Sequence, residues 1–210
     1  MMSYPLSLQA RKQIEEFILD GVLRTEDKIT ERDMAVRLGM SRAPVREAIR
    51  ELINAGLLEQ ISARQIVVRQ LLFTEIEEIF DIRAMLEGKA AALAAGNRQS
   101  GQLKQLQSLF ERMILVADSQ DYPTYFDLNI QFHKLIHQIA NAPRLLSLID
   151  QIMRESLLLR SRSLVNEDHI QNSINEHNQI LMSLESGDSE LAELLMIRHV
   201  QNGFNRLELE

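Results

Sequence analysis

From Thr74 onward the sequence carries no strand signal, and capping residues and chain breakers cut it into consecutive helical segments. Thr74 and Glu77 have the spacing of a capping box, and Gly96-Asn97 closes the helix that they open. Further helices are expected near 101–117, 122–140, 144–163, 169–185 and 189–207, with breaks at Asn141-Ala142-Pro143, Val165 to Asp168 and Ser186-Gly187-Asp188. Six amphipathic helices in succession leave an all-α bundle as the architecture available to this part of the chain.

The preceding residues read differently. Ala10, Ile14, Phe17 and Ile18 recur at helical spacing from Leu6 to Asp20, closed by Gly21. Thr30 caps a short second helix with Asp33 three residues on, and Gly39 stops it. Ser41 is a natural N-cap for a third helix, with Pro44 in its first turn, a buried stripe of Val45, Ala48, Ile49 and Leu52, and Gly56 at its end. Leu57 to Ile61 and Gln65 to Val68 are β-rich runs around a polar turn, a small hairpin or wing. The fold class expected is therefore mainly α: a head, 1–70, of three helices plus a β-hairpin, then a six-helix body, 71–210, joined by a short linker.

Charge is distributed to match. The net charge is -7, yet residues 1–70 hold 11 Lys/Arg against 10 Asp/Glu, while 71–210 hold 12 against 20. From Arg32 to Arg69 there are seven arginines against four acids, so an acidic chain retains a locally positive surface. The absence of cysteine excludes disulfides, thiolate zinc sites and cysteine nucleophiles, and is consistent with a reduced cytoplasm. With charges throughout the first twenty residues and no run of 18 apolar residues, neither secretion nor a membrane span is expected.

Arg42, Arg46 and Arg50 share one face of the third helix, whose first turn reads Ser41-Arg42-Ala43-Pro44. Arginines within reach of guanine edges or phosphates, beside small residues that permit close approach, are what a recognition helix needs in the major groove. A solvated face with ordinary charge pairs to Glu47 and Glu51 is the alternative reading of the same spacing.

The segment TERDMAVRLGMSRAPVREAIRELINAGLL resembles the winged helix-turn-helix of the GntR family, above all in S-R-x-P-V-R-E-A. That resemblance implies operator contacts by Arg32 and by the recognition-helix arginines Arg42 and Arg46, with Ser41, Ala43 and Pro44 at the helix tip. The glycine usual at the family's wing tip is missing from SARQIVV, and Arg64 is the expected substitute in the minor groove.

All five histidines lie in the body. Asn129 and His133 are four apart on one helical face, while His177 and His199 fall on separate helices, so three helices can converge on one cation with imidazole and amide donors. Taken singly, each histidine reads as a packing or surface residue. IFDIRAMLEGKAAALAA, LNIQFHKLIHQIANAPRL and EHNQILMSLESGD followed by RHV resemble the FCD domain, the helical sensor of FadR-type GntR regulators, over Phe73 to Leu207. The resemblance implies a divalent transition metal, zinc or nickel, on Asn129, His133, His177 and His199, with a small carboxylate effector in the open positions. Asn129 stands where an acidic ligand is common, which weakens the site. Arg83 is the candidate second anchor for the effector, with an intrahelical pair to Glu87 as its other reading; Arg160 and Arg162 are weaker candidates.

Together these readings describe a homodimeric, metabolite-responsive DNA-binding regulator, a repressor rather than an activator. One alternative keeps the regulator but makes the body a metal-free bundle for an apolar or acyl ligand. A metal-dependent hydrolase is the remote alternative: no HExxH, phosphate loop or nucleophile elbow is present, and the head would be unexplained.

Overall fold

The computed structural model describes residues 5–156, 158–159 and 167–207. In chain order the elements are α1 (Leu6–Leu19), β1 (Lys28–Ile29), α2 (Glu31–Leu38), α3 (Arg42–Asn54), β2 (Leu58–Ser62), β3 (Gln65–Val68), α4 (Phe73–Asn97), α5 (Ser100–Asp118), α6 (Tyr122–Ala140), α7 (Pro143–Ser156), α8 (Glu167–Ser186) and α9 (Ser189–Phe204). They form two compact units, Met1–Ile76 with Met153–Arg162, and Glu77–Ile152 with Ser163–Glu210. Among the described residues no helix is long and apolar enough to cross a membrane.

In the first unit, Ala10, Ile14 and Ile18 of α1 are buried together with Val45, Ala48, Ile49 and Leu52 of α3. The α2–α3 turn is set by local chemistry. Thr30 Oγ1 accepts the Asp33 N–H at 3.0 Å, and Gly39 takes the left-handed conformation (φ 63°) that ends α2 at little steric cost. Ser41 occupies the N-cap position of α3 but makes no side-chain capping bond.

The wing is a three-stranded antiparallel sheet in the order β1-β3-β2. The third strand is an addition to the expected hairpin: Lys28 and Ile29 pair with Val67 and Ile66. Two residues are too short a stretch to show period-2 alternation.

Two further departures concern the segments leading away from the head. The capping box expected at Thr74 and Glu77 is displaced, because α4 begins at Phe73 and Glu75 accepts the Leu72 N–H at 2.8 Å while pairing with Arg69. The helix expected at 144–163 runs instead from Pro143 to Ser156, and residues 160–163 lie outside the described residues. The end of α7 belongs with the head: Glu155 Oε2 lies 3.2 Å from Arg69 Nη1, and Leu158 and Leu159 are buried.

The second unit is organised by the small residues of α4. Ala84, Ala90, Ala91, Ala94 and Ala95 are buried, which lets neighbouring helices approach closely. At Gly88 a Cβ would lie 2.6 Å from Ile197 Cγ1 of α9. Helix propensity favours alanine over glycine by about 1 kcal/mol, but overpacking of this kind costs about 1 to 3 kcal/mol. Gly88→Ala is therefore expected to lower the urea midpoint at unchanged m value, and adding Ile197→Ala should recover part of the loss. A Gly88→Ala midpoint at or above wild type contradicts the close approach.

Candidate metal centre and DNA-binding surface

His133 on α6, His177 on α8 and His199 on α9 are all buried, and one ring nitrogen from each lies within 4.8 Å of the other two. His133 Nε2 is 3.1 Å from His199 Nε2 and 3.3 Å from His177 Nε2. The opposite nitrogens are already committed. His133 Nδ1 lies 2.8 Å from Glu87 Oε2, His199 Nδ1 2.7 Å from Glu176 Oε2, and His177 Nδ1 2.6 Å from the Ser173 carbonyl oxygen.

Those three partners only accept hydrogen bonds, so they assign the proton of each neutral ring to Nδ1. The Nε2 lone pairs then face one another with no hydrogen between them, an arrangement that calls for a cation at the centre. Zinc–imidazole bonds of about 2.0–2.1 Å in tetrahedral geometry separate the nitrogens by about 3.3 Å, close to the spacing found. Hydrogen-bonded acceptors behind ligating imidazoles are the usual support of such sites.

Protonation is a poor substitute for a metal here. Burial pushes His133 down to about 4, with Glu87 opposing this and the neighbouring His199 reinforcing it. Burial and then His199 hold His177 well below the usual histidine range. Burial alone would raise the Glu87 carboxyl, but Arg83 and His133 outweigh it and hold it well below the carboxylate range. Glu176 is brought down to about 2, its burial overcome by hydrogen bonds from His199 and Arg206.

Asn129 sits one turn before His133 on α6, and its Oδ1 is a buried acceptor with no hydrogen-bond partner among the described residues. An orphaned oxygen one helical turn from His133 has the chemistry of a further donor to a divalent ion. Arg83 engages Glu87 through Nε and Nη2, each at 3.0 Å from Oε1, and stacks 4.9 Å from the Phe80 ring centroid. Its intrahelical pair is therefore formed. His137, which lies outside the expected ligand set, is buried with Nε2 3.3 Å from Glu87 Oε2. Arg160 and Arg162 fall outside the described residues.

Sequence reasoning did not find the outer layer of this site. Glu87 is fully buried and holds His133, His137 and Arg83; Glu176 holds His199, Asn202 and Arg206. A signal for Glu87 exists, since it interrupts the inward stripe of α4 between Ala84 and Ala91, where an unpaired acid is not tolerated.

On the head, Arg32, Ser41, Arg42, Ala43, Arg46 and Arg64 are exposed and Pro44 is half-buried. Arg46 Nε lies 2.8 Å from Glu31 Oε1. Among the described residues the side chains of Arg32, Arg42 and Arg64 have no hydrogen-bond or ion-pair partner, and α3 presents its first turn without a side-chain cap.

Residues 6–68 match the model of the gntR family of bacterial regulatory proteins, and residues 78–202 match the FCD domain. The chain is 32% identical over 192 residues (90% of this chain, 84% of the relative) to the "Probable D-xylose utilization operon transcriptional repressor" of Paenarthrobacter nicotinovorans. It is 28% identical to the HTH-type transcriptional regulator McbR of Escherichia coli K12, over 93% of this chain and 91% of that one. The solved structure of E. coli McbR/YncC superposes with a TM-score of 0.82 at 26% identity, covering 96% and 95% of the two chains. The chain belongs to the GntR family, as a transcriptional regulator with a GntR helix-turn-helix and an FCD domain. Its family and homologues are transcription factors rather than enzymes.

The histidine chemistry predicts a pH dependence for metal-free protein. His133 and His177 have folded-state values below the unfolded value of about 6.5, so the unfolded chain binds more protons as pH falls below it. Their contribution is complete above about pH 6.5 and is lost on acidification towards pH 4, at up to about 1.4 kcal/mol per pH unit for each ring. Urea unfolding between pH 7 and 5 should show this slope, and His133→Gln should flatten it. Equal slopes in the two proteins would refute the assignment.

Proposed function

We propose that this regulator is a metabolite-responsive repressor whose FCD domain holds a divalent transition metal on His133, His177 and His199, with Asn129 as fourth donor. The observation that carries this reading is the convergence of three Nε2 lone pairs whose Nδ1 partners are all acceptors. A bound zinc or nickel ion would supply open Lewis-acid positions for a small carboxylate. This chain's own residues set the rest: Glu87 and Glu176 orient two of the rings, and Arg83 lies on α4 four residues before Glu87 as a cationic neighbour for an anionic ligand. Repression is supported by relatives named as repressors, among them RspR of E. coli K12 at 23% identity over 94% of this chain.

GntR regulators bind operator DNA and effector metabolites, typically as dimers. For this chain the proposal is a homodimer on a pseudo-palindromic operator, acting in the cytoplasm, with Arg32, Ser41, Arg42, Ala43, Pro44 and Arg46 on the major groove and Arg64 on the minor groove. In this reading residues 1–70 serve DNA and 71–210 serve metal, effector and dimer formation, a division supported by the matches to the gntR family over 6–68 and to the FCD domain over 78–202.

Three outcomes are expected. Metal at about 100 times its dissociation constant should stabilise the fold by about 2.7 kcal/mol, and His177→Ala should lose this in a thermal-shift assay with zinc or nickel. Protein purified without chelator that carries no metal, and gains no stability from any added divalent ion, removes the metal reading. Arg42→Ala and Arg46→Ala should each weaken specific operator binding, since a bidentate arginine–guanine contact contributes about 1 to 3 kcal/mol of discrimination; wild-type affinity in both at matched salt excludes the docking. Asn129→Asp should tighten metal binding in a competition titration, because it adds a charged oxygen donor, and an unchanged metal affinity would place Asn129 outside the donor set.

A further inference from the structure

A second polar feature lies in the FCD domain, on the outer side of α8 and α9. Residues 169–179 of α8 and residues 198–206, at the end of α9 and just beyond it, line an open cleft of about 490 Å³, within the size range of small-ligand sites. Its nine lining residues comprise five amides, two arginines, one histidine and one glutamate, with no apolar side chain. From residue 71 onward acids outnumber bases by 20 to 12, so a wall that carries two guanidinium groups and a single acid departs from its surroundings.

That acid is Glu176, and its carboxylate is occupied by His199, Asn202 and Arg206. Arg198 has no hydrogen-bond or ion-pair partner among the described residues. His169 contributes a buried Nδ1 that lacks a hydrogen-bond partner among the described residues. An unpaired guanidinium, a second one shared with Glu176, an unsatisfied imidazole nitrogen and five amides form a donor-rich lining. A solvated outer face of two helices would have no reason to keep a ring nitrogen buried and unsatisfied.

We propose that this cleft is a second ligand site, separate from the histidine cluster, for a small hydroxylated oxyanion: a carboxylate or phosphate ester bearing hydroxyl groups. Arg198 takes the anionic group, for which a guanidinium offers two parallel donors. Asn172, Asn175 and Asn205 serve the hydroxyls, since each amide both donates and accepts.

Glu176 borders both features, since its carboxylate lies 2.7 Å from His199 Nδ1 and is paired with Arg206. The cleft itself does not depend on the metal reading above.

The probes are inorganic phosphate, D-glycerate and glycerol 3-phosphate, titrated into metal-free full-length protein by calorimetry and by backbone amide shifts. Saturable binding is expected, stronger for the two hydroxylated probes than for phosphate, with the shifts on Asn172, Arg198 and Asn205 and not on Asn129 or His133. Whichever of D-glycerate and glycerol 3-phosphate binds more tightly assigns the anion as carboxylate or phosphate ester. Arg198→Ala and Asn172→Asp, both at exposed positions, should each weaken binding by about tenfold, the scale of one charge-assisted hydrogen bond. The site is overturned by the absence of saturable binding, by wild-type affinity in both variants, or by shifts confined to Asn129 and His133. It is equally overturned if Arg198→Ala changes the sedimentation of the protein without ligand, because a second copy of the chain would then cover the cleft. If anion binding follows expectation while metal fails to bind, the cleft stands and the metal reading falls.

Discussion

Three imidazoles that have already given their Nδ1 hydrogens to acceptors must face one another through lone pairs in a space closed to water. The bundle is arranged around that constraint. Glu87 is buried completely, at a desolvation cost that only close partners offset, and three groups supply them: Arg83 from its own helix, and His133 and His137 from α6. Removing any one leaves a buried carboxylate undercompensated. The small residues of α4 and the glycine against Ile197 belong to the same solution, because they let helices approach closely around a polar centre.

The parts of this structure that were legible in the sequence are those whose cause is local. The α2 cap at Thr30, the stop at Gly39 and the break after α6 at Asn141 each depend on one or two residues and their backbone. The buried stripe of α3 follows from periodicity, and the convergence of His133, His177 and His199 was open to expectation from their place on three separate helices. What was not legible depends on partners far along the chain. β1 is two residues long and exists because β3 offers an edge, and the end of α7 joins the head through Glu155 and Arg69, 86 positions apart. Glu87 and Glu176 are ordinary helical acids until α6 and α9 put imidazoles against them. The start of α4 shows a competition: Thr74 with Glu77 fits the capping pattern, but Glu75 wins by serving the Leu72 N–H and Arg69 together.

The head resolves an apparent conflict between a net charge of -7 and a DNA-binding family. Acidic residues concentrate after residue 70, and on α2 and α3 the arginines that face outward are mostly uncommitted. Arg37 lies over the Phe17 ring, and Arg46 is paired with Glu31, but the two side chains of that pair are 53% and 35% exposed. Water screens a pair of that kind, so exchanging the carboxylate for a phosphate or a guanine edge has little to overcome. On the proposed docking, the same pair orients Arg46 before DNA arrives, which limits the side-chain freedom lost on contact.

Asn129 fits the charge balance of the centre. Around the histidines, Glu87 is countered by Arg83 and Glu176 by Arg206, so the outer layer is close to neutral, and burial holds the His133 and His177 rings uncharged. On the proposed reading, a divalent ion enters with no formally anionic first ligand and keeps its full charge. A neutral amide oxygen binds that ion less tightly than a carboxylate does, yet leaves more positive charge for a ligand in the open positions. Holding the metal weakly and attracting an anion strongly are then two results of one substitution, and they make the two occupants depend on each other. Such dependence suits a sensor, because coupling between two ligands is reciprocal: what the carboxylate gains from the metal, the metal gains from the carboxylate.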